Sequence, residues 1–125
     1  MVNVKAQTEN KKDQVKYRSY LYSLRIVRYV SSLPKNGIAD VLGKQLLRSG
    51  TSVGANVVEA QSGSSKKDFI NFYLYALKSA NESKFWLCLI RDAKVDSEFK
   101  INSLLDETIQ IANMIGKSVL TLKGK

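Results

Sequence analysis

The sequence predicts an all-α protein, an antiparallel up-and-down four-helix bundle, and three observations carry that prediction. Apolar residues recur at spacings of three and four through four long segments. Turn-forming clusters separate those segments at "SSLPKNG", "SGSS" and "DAKVDSEF". No stretch alternates apolar and polar residues with the period of a strand, and no unit of roughly 20–50 residues repeats. A chain of 125 residues has room for one domain built on a single core.

The elements follow in order. Residues 1–12 are polar and aperiodic and are expected to form a flexible basic tail, leaving 13–125 as the bundle domain. Val15, Leu21, Leu24, Val27 and Val30, with Tyr17 and Tyr20, mark a first helix over about residues 14–32, closed by Pro34 and Gly37. A second helix runs from near Ile38 through Val41, Leu42, Leu46, Val53, Val57 and Ala60 to the break at 62–65. Gly50 and Gly54 sit inside it; each costs about 1 kcal/mol against alanine in an isolated helix, which points to another backbone passing close by. Ser65 caps the third helix, with Asp68 three residues on in place of the glutamate of a capping box. Phe69, Phe72, Tyr73, Ala76, Ala80, Leu87 and Ile90 form its stripe, while Leu74, Leu77, Phe85 and Trp86 widen the apolar surface beyond one face. Asp96 or Ser97 opens the fourth helix, with Glu98 in its first turn and Ile101, Leu104, Leu105, Ile109, Ala112, Ile115, Val119 and Leu122 as its stripe.

Composition narrows the chemistry. The chain has no histidine and one cysteine, Cys88, so Ser-His-Asp and Cys-His dyads, histidine-based zinc and di-iron sites, zinc knuckles and an intrachain disulfide are all excluded. Cys88 reads as a small core residue in a reducing compartment. No segment has signal-peptide character and none approaches the roughly 20 apolar residues that span a bilayer, so a cytoplasmic protein without a membrane partner is expected. Twenty basic residues against eleven acidic ones give a formal charge of +9, which favours a polyanionic partner without specifying one.

The stretch "TSVGANVVEAQSGSSKKDF" sets small polar groups on the inner face of the second helix. Ser49, Ser52, Val53, Asn56, Val57 and Ala60 continue the stripe of Leu42 and Leu46, with Glu59 along the same edge and Glu82 among apolar neighbours in the third helix. Buried polar groups need partners. Ser52, Asn56, Glu59 and Glu82 are therefore expected to satisfy one another as a structural network, with Arg48 or Lys78 as counter-ion, fixing helix register. The competing assignment, Glu59 and Glu82 as an acid–base or metal-binding pair, lacks any histidine to complete it. No catalytic residue, metal site or cofactor is assigned.

Residues "RSGTSVGANVVEAQSGSSKKDFINFYLYALKSANESKFWLCLI" resemble a bacterial four-helix-bundle family described as the product of reading frames in intervening sequences of 23S ribosomal RNA genes. The likeness is densest from Gln45 to Arg91 and rests on Thr51, Ser52, Asn56, Glu59 and Ala60, on Ser65 to Phe69, and on Ala76 to Lys78, Glu82 and Phe85 to Leu87. The chain departs from the family pattern at Val57, Val58, Ser79 and Phe85. The resemblance implies a left-handed bundle that assembles as a ring, commonly a homopentamer, with a non-enzymatic role. Related bundles that accompany diversity-generating reverse transcriptases look like basic nucleic-acid-binding accessory proteins.

The basic residues support a nucleic-acid role independently. Arg18, Tyr22, Arg25 and Tyr29 fall at i, i+4, i+7 and i+11 of the first helix, beside Arg28, and Lys66 and Lys67 open the third. Guanidinium groups interleaved with tyrosines suit phosphate contact and base stacking. The same tyrosines also suit packing within the bundle, with the cations as a solvated face. The function expected is that of a non-enzymatic oligomeric scaffold engaging RNA or another polyanion through Arg18, Tyr22, Arg25, Arg28, Lys66 and Lys67; the alternative is a protein–protein module without nucleic-acid binding.

Overall fold

The computed structural model describes the backbone from Lys11 to Gly124 and the side chains from Gln14 to Gly124. Four helices account for nearly all of it: α1 Lys11–Ser31, α2 Gly37–Gln61, α3 Lys66–Asp92 and α4 Glu98–Lys123. There is no strand among the described residues, in keeping with the all-α class. Helix α1 starts at Lys11, about a turn before the position periodicity indicated; the remainder of the predicted tail, residues 1–10, lies outside the described residues.

Local chemistry sets the helix ends. Asn36 Oδ1 accepts from Ala39 N at 2.9 Å and caps α2, and Ser65 Oγ accepts from Asp68 N at 3.1 Å and caps α3. Asp68 does not complete a capping box; its carboxylate accepts from Ser64 Oγ at 3.0 Å. Helix α3 ends with Lys94 N donating to Arg91 O and Val95 N donating to Ile90 O, both at 3.0 Å, the bond pair of a Schellman motif. Lys94 accordingly takes φ 59°, the left-handed conformation in which glycine is usual.

Side-chain pairings fix the topology. Ile26 lies opposite Gly50, and Leu33 opposite Gly43, so α1 and α2 are antiparallel. Ser49 meets Ser83 while Ala60 and Phe69 share a surface hollow, so α2 and α3 are antiparallel. Arg91 reaches Asn102 while Phe69 and Leu122 line one hollow, which does the same for α3 and α4. Arg18 bonds Gln110 and Arg25 bonds Ser103, closing the bundle between α1 and α4.

The core runs through the middle of all four helices, with Ile26, Leu46, Val53, Leu87, Ile90, Ile101 and Ile115 fully enclosed. Two predicted faces are corrected by the structure. In α1 the buried row is Val15, Ser19, Tyr22, Ile26 and Tyr29, continued by Leu33 in the turn that follows, whereas Leu21 and Val27, placed in the core by periodicity, remain 40% and 42% exposed. The first helix carries two overlapping apolar stripes, and the one containing Ser19 and Ile26 wins because it fits against the glycines of α2. In α4, Thr108 and Ile111 take the interior and Ile109 turns outward. Cys88 is half-buried.

Candidate nucleic-acid interface

The six residues predicted to contact nucleic acid divide into two groups. Arg18, Tyr22 and Arg25 are drawn into the seam between α1 and α4. Arg18 Nη2 donates to Glu107 Oε2 at 3.3 Å and to Gln110 Oε1 at 3.1 Å. Arg25 Nη2 donates to Ser103 Oγ at 2.5 Å. Tyr22 is only 1% exposed, and its hydroxyl lies 2.7 Å from Thr108 Oγ1. Because Thr108 Oγ1 gives its single proton to Leu104 O at 2.8 Å, Tyr22 must be the donor. Burial pushes the Tyr22 phenol up to about 12, so it stays protonated at neutral pH. Tyr22 is therefore a core residue, and its assignment as a stacking platform is corrected.

Tyr29, the other tyrosine of that stripe, is also buried; burial first, and the Asp96 carboxylate second, raise its pKa well above the ordinary phenol value. Arg28, Lys66 and Lys67 form the second group; they are exposed and make no ion pair. The predicted cationic stripe of α1 is thus reduced to Arg28, because its other two arginines satisfy partners on α4.

The predicted polar network is also redistributed. Ser52 Oγ donates to Arg48 O at 2.7 Å and Asn56 Nδ2 donates to Ser52 O at 2.8 Å, so both serve their own helix backbone. Glu59 is exposed. Glu82 is bound by Arg48 and by Trp86 Nε1, the latter at 2.9 Å, and these bonds, Arg48 first, hold its carboxyl below the usual carboxylate range. Arg48 is the counter-ion, as expected, and it is further braced by Gln45 Oε1 at 2.9 Å. The buried polar link between α2 and α3 is a different one, Ser49 Oγ to Ser83 Oγ at 2.8 Å, with both residues fully enclosed. Ser83 lies seven residues after Ala76 on the same stripe, which was the available sequence signal.

Gly43, Gly50 and Gly54 of α2 face α1 and the turn that follows it. A β-carbon at Gly50 would lie 2.9 Å from Cγ1 and Cγ2 of Ile26, and one at Gly54 would lie 2.9 Å from Ser23 Oγ. Along the outside of this seam, Tyr20 and Val58 border one open hollow and Val27 and Leu47 another. Among the described residues no group of three or more carboxylate or thiol side chains could hold a metal. No described helix is long and apolar enough to cross a membrane.

Three ion pairs occur among the described residues, Arg18–Glu107, Arg48–Glu82 and Arg91–Asp92, and each uses an arginine. Every described lysine is left without an ionic partner, so a surplus of ammonium groups faces solvent on a bundle whose interior is closed by apolar packing and hydroxyl pairs.

Fold and surface together define a small, basic, antiparallel four-helix-bundle protein. Residues 11–117 match the model of the 23S rRNA-intervening sequence protein family, and the chain belongs to that family. The fold is similar to the crystal structure of a protein of unknown function from the S23 ribosomal protein family of Bacteroides thetaiotaomicron. That similarity has a TM-score of 0.83 and 34% sequence identity, over 88% of this chain and 98% of that one. Comparison with curated proteins returned no match.

Proposed function

We propose that this protein is a non-enzymatic, cytoplasmic bundle that assembles with copies of itself, as a ring and commonly a pentamer in keeping with the family resemblance, and that the assembly holds RNA or another polyanion. The observation that carries the polyanion reading is the set of unpaired lysines on a chain of formal charge +9. Each ammonium group is free to replace a condensed counter-ion at a phosphate, which is the main source of sequence-independent affinity. Repetition of the same groups around a ring multiplies weak contacts through avidity. Self-association is supported by the apolar side chains left at the surface, among them Tyr20 at 52%, Tyr75 at 55% and Phe85 at 58% exposed.

A protein–protein module without nucleic-acid binding is the second reading, favoured by those same apolar groups. Light-scattering mass of the purified protein, with and without a mixed RNA pool at low and at high salt, separates the two. The scaffold requires a multimer that gains mass with RNA at low salt and loses it at high salt. A multimer indifferent to RNA leaves the protein module, and a monomer defeats the self-assembly common to both.

A further inference from the structure

We propose that the RNA backbone docks on one end of the bundle, the end built from the α2–α3 turn, the first turn of α3 and the last turns of α4, with Lys66, Lys67, Lys117 and Lys123 as its phosphate contacts. This inference rests on the polyanion reading above and gives it a location other than the α1 stripe. That stripe is the weaker candidate, because Arg18 and Arg25 are engaged by Glu107, Gln110 and Ser103 and Tyr22 is enclosed, which leaves Arg28 as its unpaired cation.

The antiparallel topology brings the four lysines to the same end from two elements that are remote in sequence. Lys66 and Phe69 of α3 and Leu122 of α4 line one hollow of about 440 Å³, together with Gly63, Ser64 and Ser65 of the turn. Lys67 is adjacent to Lys66, Lys123 is adjacent to Leu122, and Lys117 lies under two turns further back along α4. All four are exposed and none is in an ion pair. Half-buried Lys16 of α1 adds a fifth cation nearby, in the groove it shares with Val58 and Glu59. Ser65 uses its oxygen as acceptor for Asp68 N, which leaves its hydroxyl proton for an incoming oxygen.

Carboxylates are sparse on the turn and on α4 at this end. From Thr108 to Lys125 the chain has no acidic residue, and of the two acids at the α2–α3 turn, Asp68 is half-buried and accepts from Ser64 Oγ, leaving Glu59 as the exposed one. The opposite end has as many lysines, Lys35, Lys44, Lys94 and Lys100, but they stand among Asp40, Asp92, Asp96 and Glu98. Interspersed opposite charges largely cancel the field there within a Debye length of about 8 Å at physiological salt, whereas an excess of one sign adds up. Phe69, the aromatic residue of the hollow, is only 9% exposed, so the end face reads phosphate rather than bases.

The two ends supply a charge-matched test. Lysine-to-glutamate reversal at positions 66, 67, 117 and 123 is compared with the same reversal at 35, 44, 94 and 100 in the full chain. Affinity for a fluorescein-labelled 20-nucleotide oligouridine is measured by anisotropy across a salt series, with circular dichroism to verify folding. All eight lysines are exposed, so neither reversal removes a core contact. The expected result is a loss of tenfold or more for the first variant relative to the second, and a log–log salt slope smaller by roughly 0.7 per contact removed. Equal losses in the two variants would show binding that follows net charge alone and would overturn the end-face assignment while leaving polyanion binding intact. Absence of binding by the unaltered protein at low salt would overturn both.

Discussion

Helix α1 is held on its two sides by opposite means. Against α2 it meets glycines: the positions of Gly43, Gly50 and Gly54 face Val30, Ile26 and Ser23, and there is no room for a further carbon at Gly50. Against α4 it reaches across with long polar side chains, Arg18 to Glu107 and Gln110, Tyr22 to Thr108, and Arg25 to Ser103. The first seam depends on the absence of side chains and gains dispersion and apolar burial. The second depends on their length, and its two arginine contacts remain open to water. A close-packed seam is sensitive to volume; a bridged one is sensitive to charge, salt and pH.

Four substitutions sharpen or break that contrast. Ile26→Ala, at the centre of the glycine seam and fully buried, should lower unfolding free energy by about 2–5 kcal/mol in urea denaturation. A value near that of a surface change would mean the seam is not close-packed in solution. Gly50→Ala should cost about 1–2 kcal/mol, since crowding of Ile26 outweighs the roughly 1 kcal/mol gain in helix propensity. Combined with Ile26→Ala its cost should vanish, because the clashing atoms are gone; simple additivity in that double-mutant cycle would refute the packing account.

Tyr22→Phe, on the other seam, should cost about 0.5–1.5 kcal/mol, because Thr108 keeps its bond to Leu104 O when the phenol is removed. It also changes the alkaline limb. The Tyr22 pKa is raised in the folded state from 10.0 to about 12, so its contribution is complete below pH 10 and is lost as pH rises toward 12. Denaturation of the two proteins across that range should show a stability difference that shrinks with pH. A difference that stays constant would contradict the buried phenol. Arg18→Ala should cost under about 1 kcal/mol, and less as salt increases, because the pair with Glu107 is a third exposed on the arginine side. A salt-independent loss would place that pair among the packed contacts instead.

Much of the architecture was legible in the sequence. Pro34, the "SGSS" break and Ser65 mark helix ends by backbone chemistry that tertiary packing cannot easily override, and the structure places ends there. The face of α1 was not legible, because Leu21, Leu24 and Val27 compete with Tyr22, Ile26 and Tyr29 for the same period, and counting apolar residues favours the wrong row. Choosing between them needed the glycines of α2 assigned to α1, which no local pattern supplies. The candidate site suffered in the same way. Spacing put Arg18, Tyr22 and Arg25 on one face, but it could not say that Glu107, Ser103 and Thr108 would meet them there. Buried hydroxyls such as Thr108 and Ser83 carry no apolar signal in the sequence, although each quiets its proton on the carbonyl four residues back.

The Ser49–Ser83 contact also bears on how this sequence can change over generations. With Ser83 donating to Ser79 O at 2.9 Å, the proton between the two hydroxyls comes from Ser49. Loss of Ser83 alone strands that enclosed donor, with only Leu46 O at 3.4 Å as a poor substitute, while replacement of both by alanine removes donor and acceptor together. The two positions, 34 residues apart in the chain, are therefore coupled in one direction: Ser49 can be lost first, because Ser83 keeps its bond to Ser79 O, whereas a lineage that loses Ser83 first passes through a weaker ancestor, so descendants should seldom carry Ser49 without Ser83.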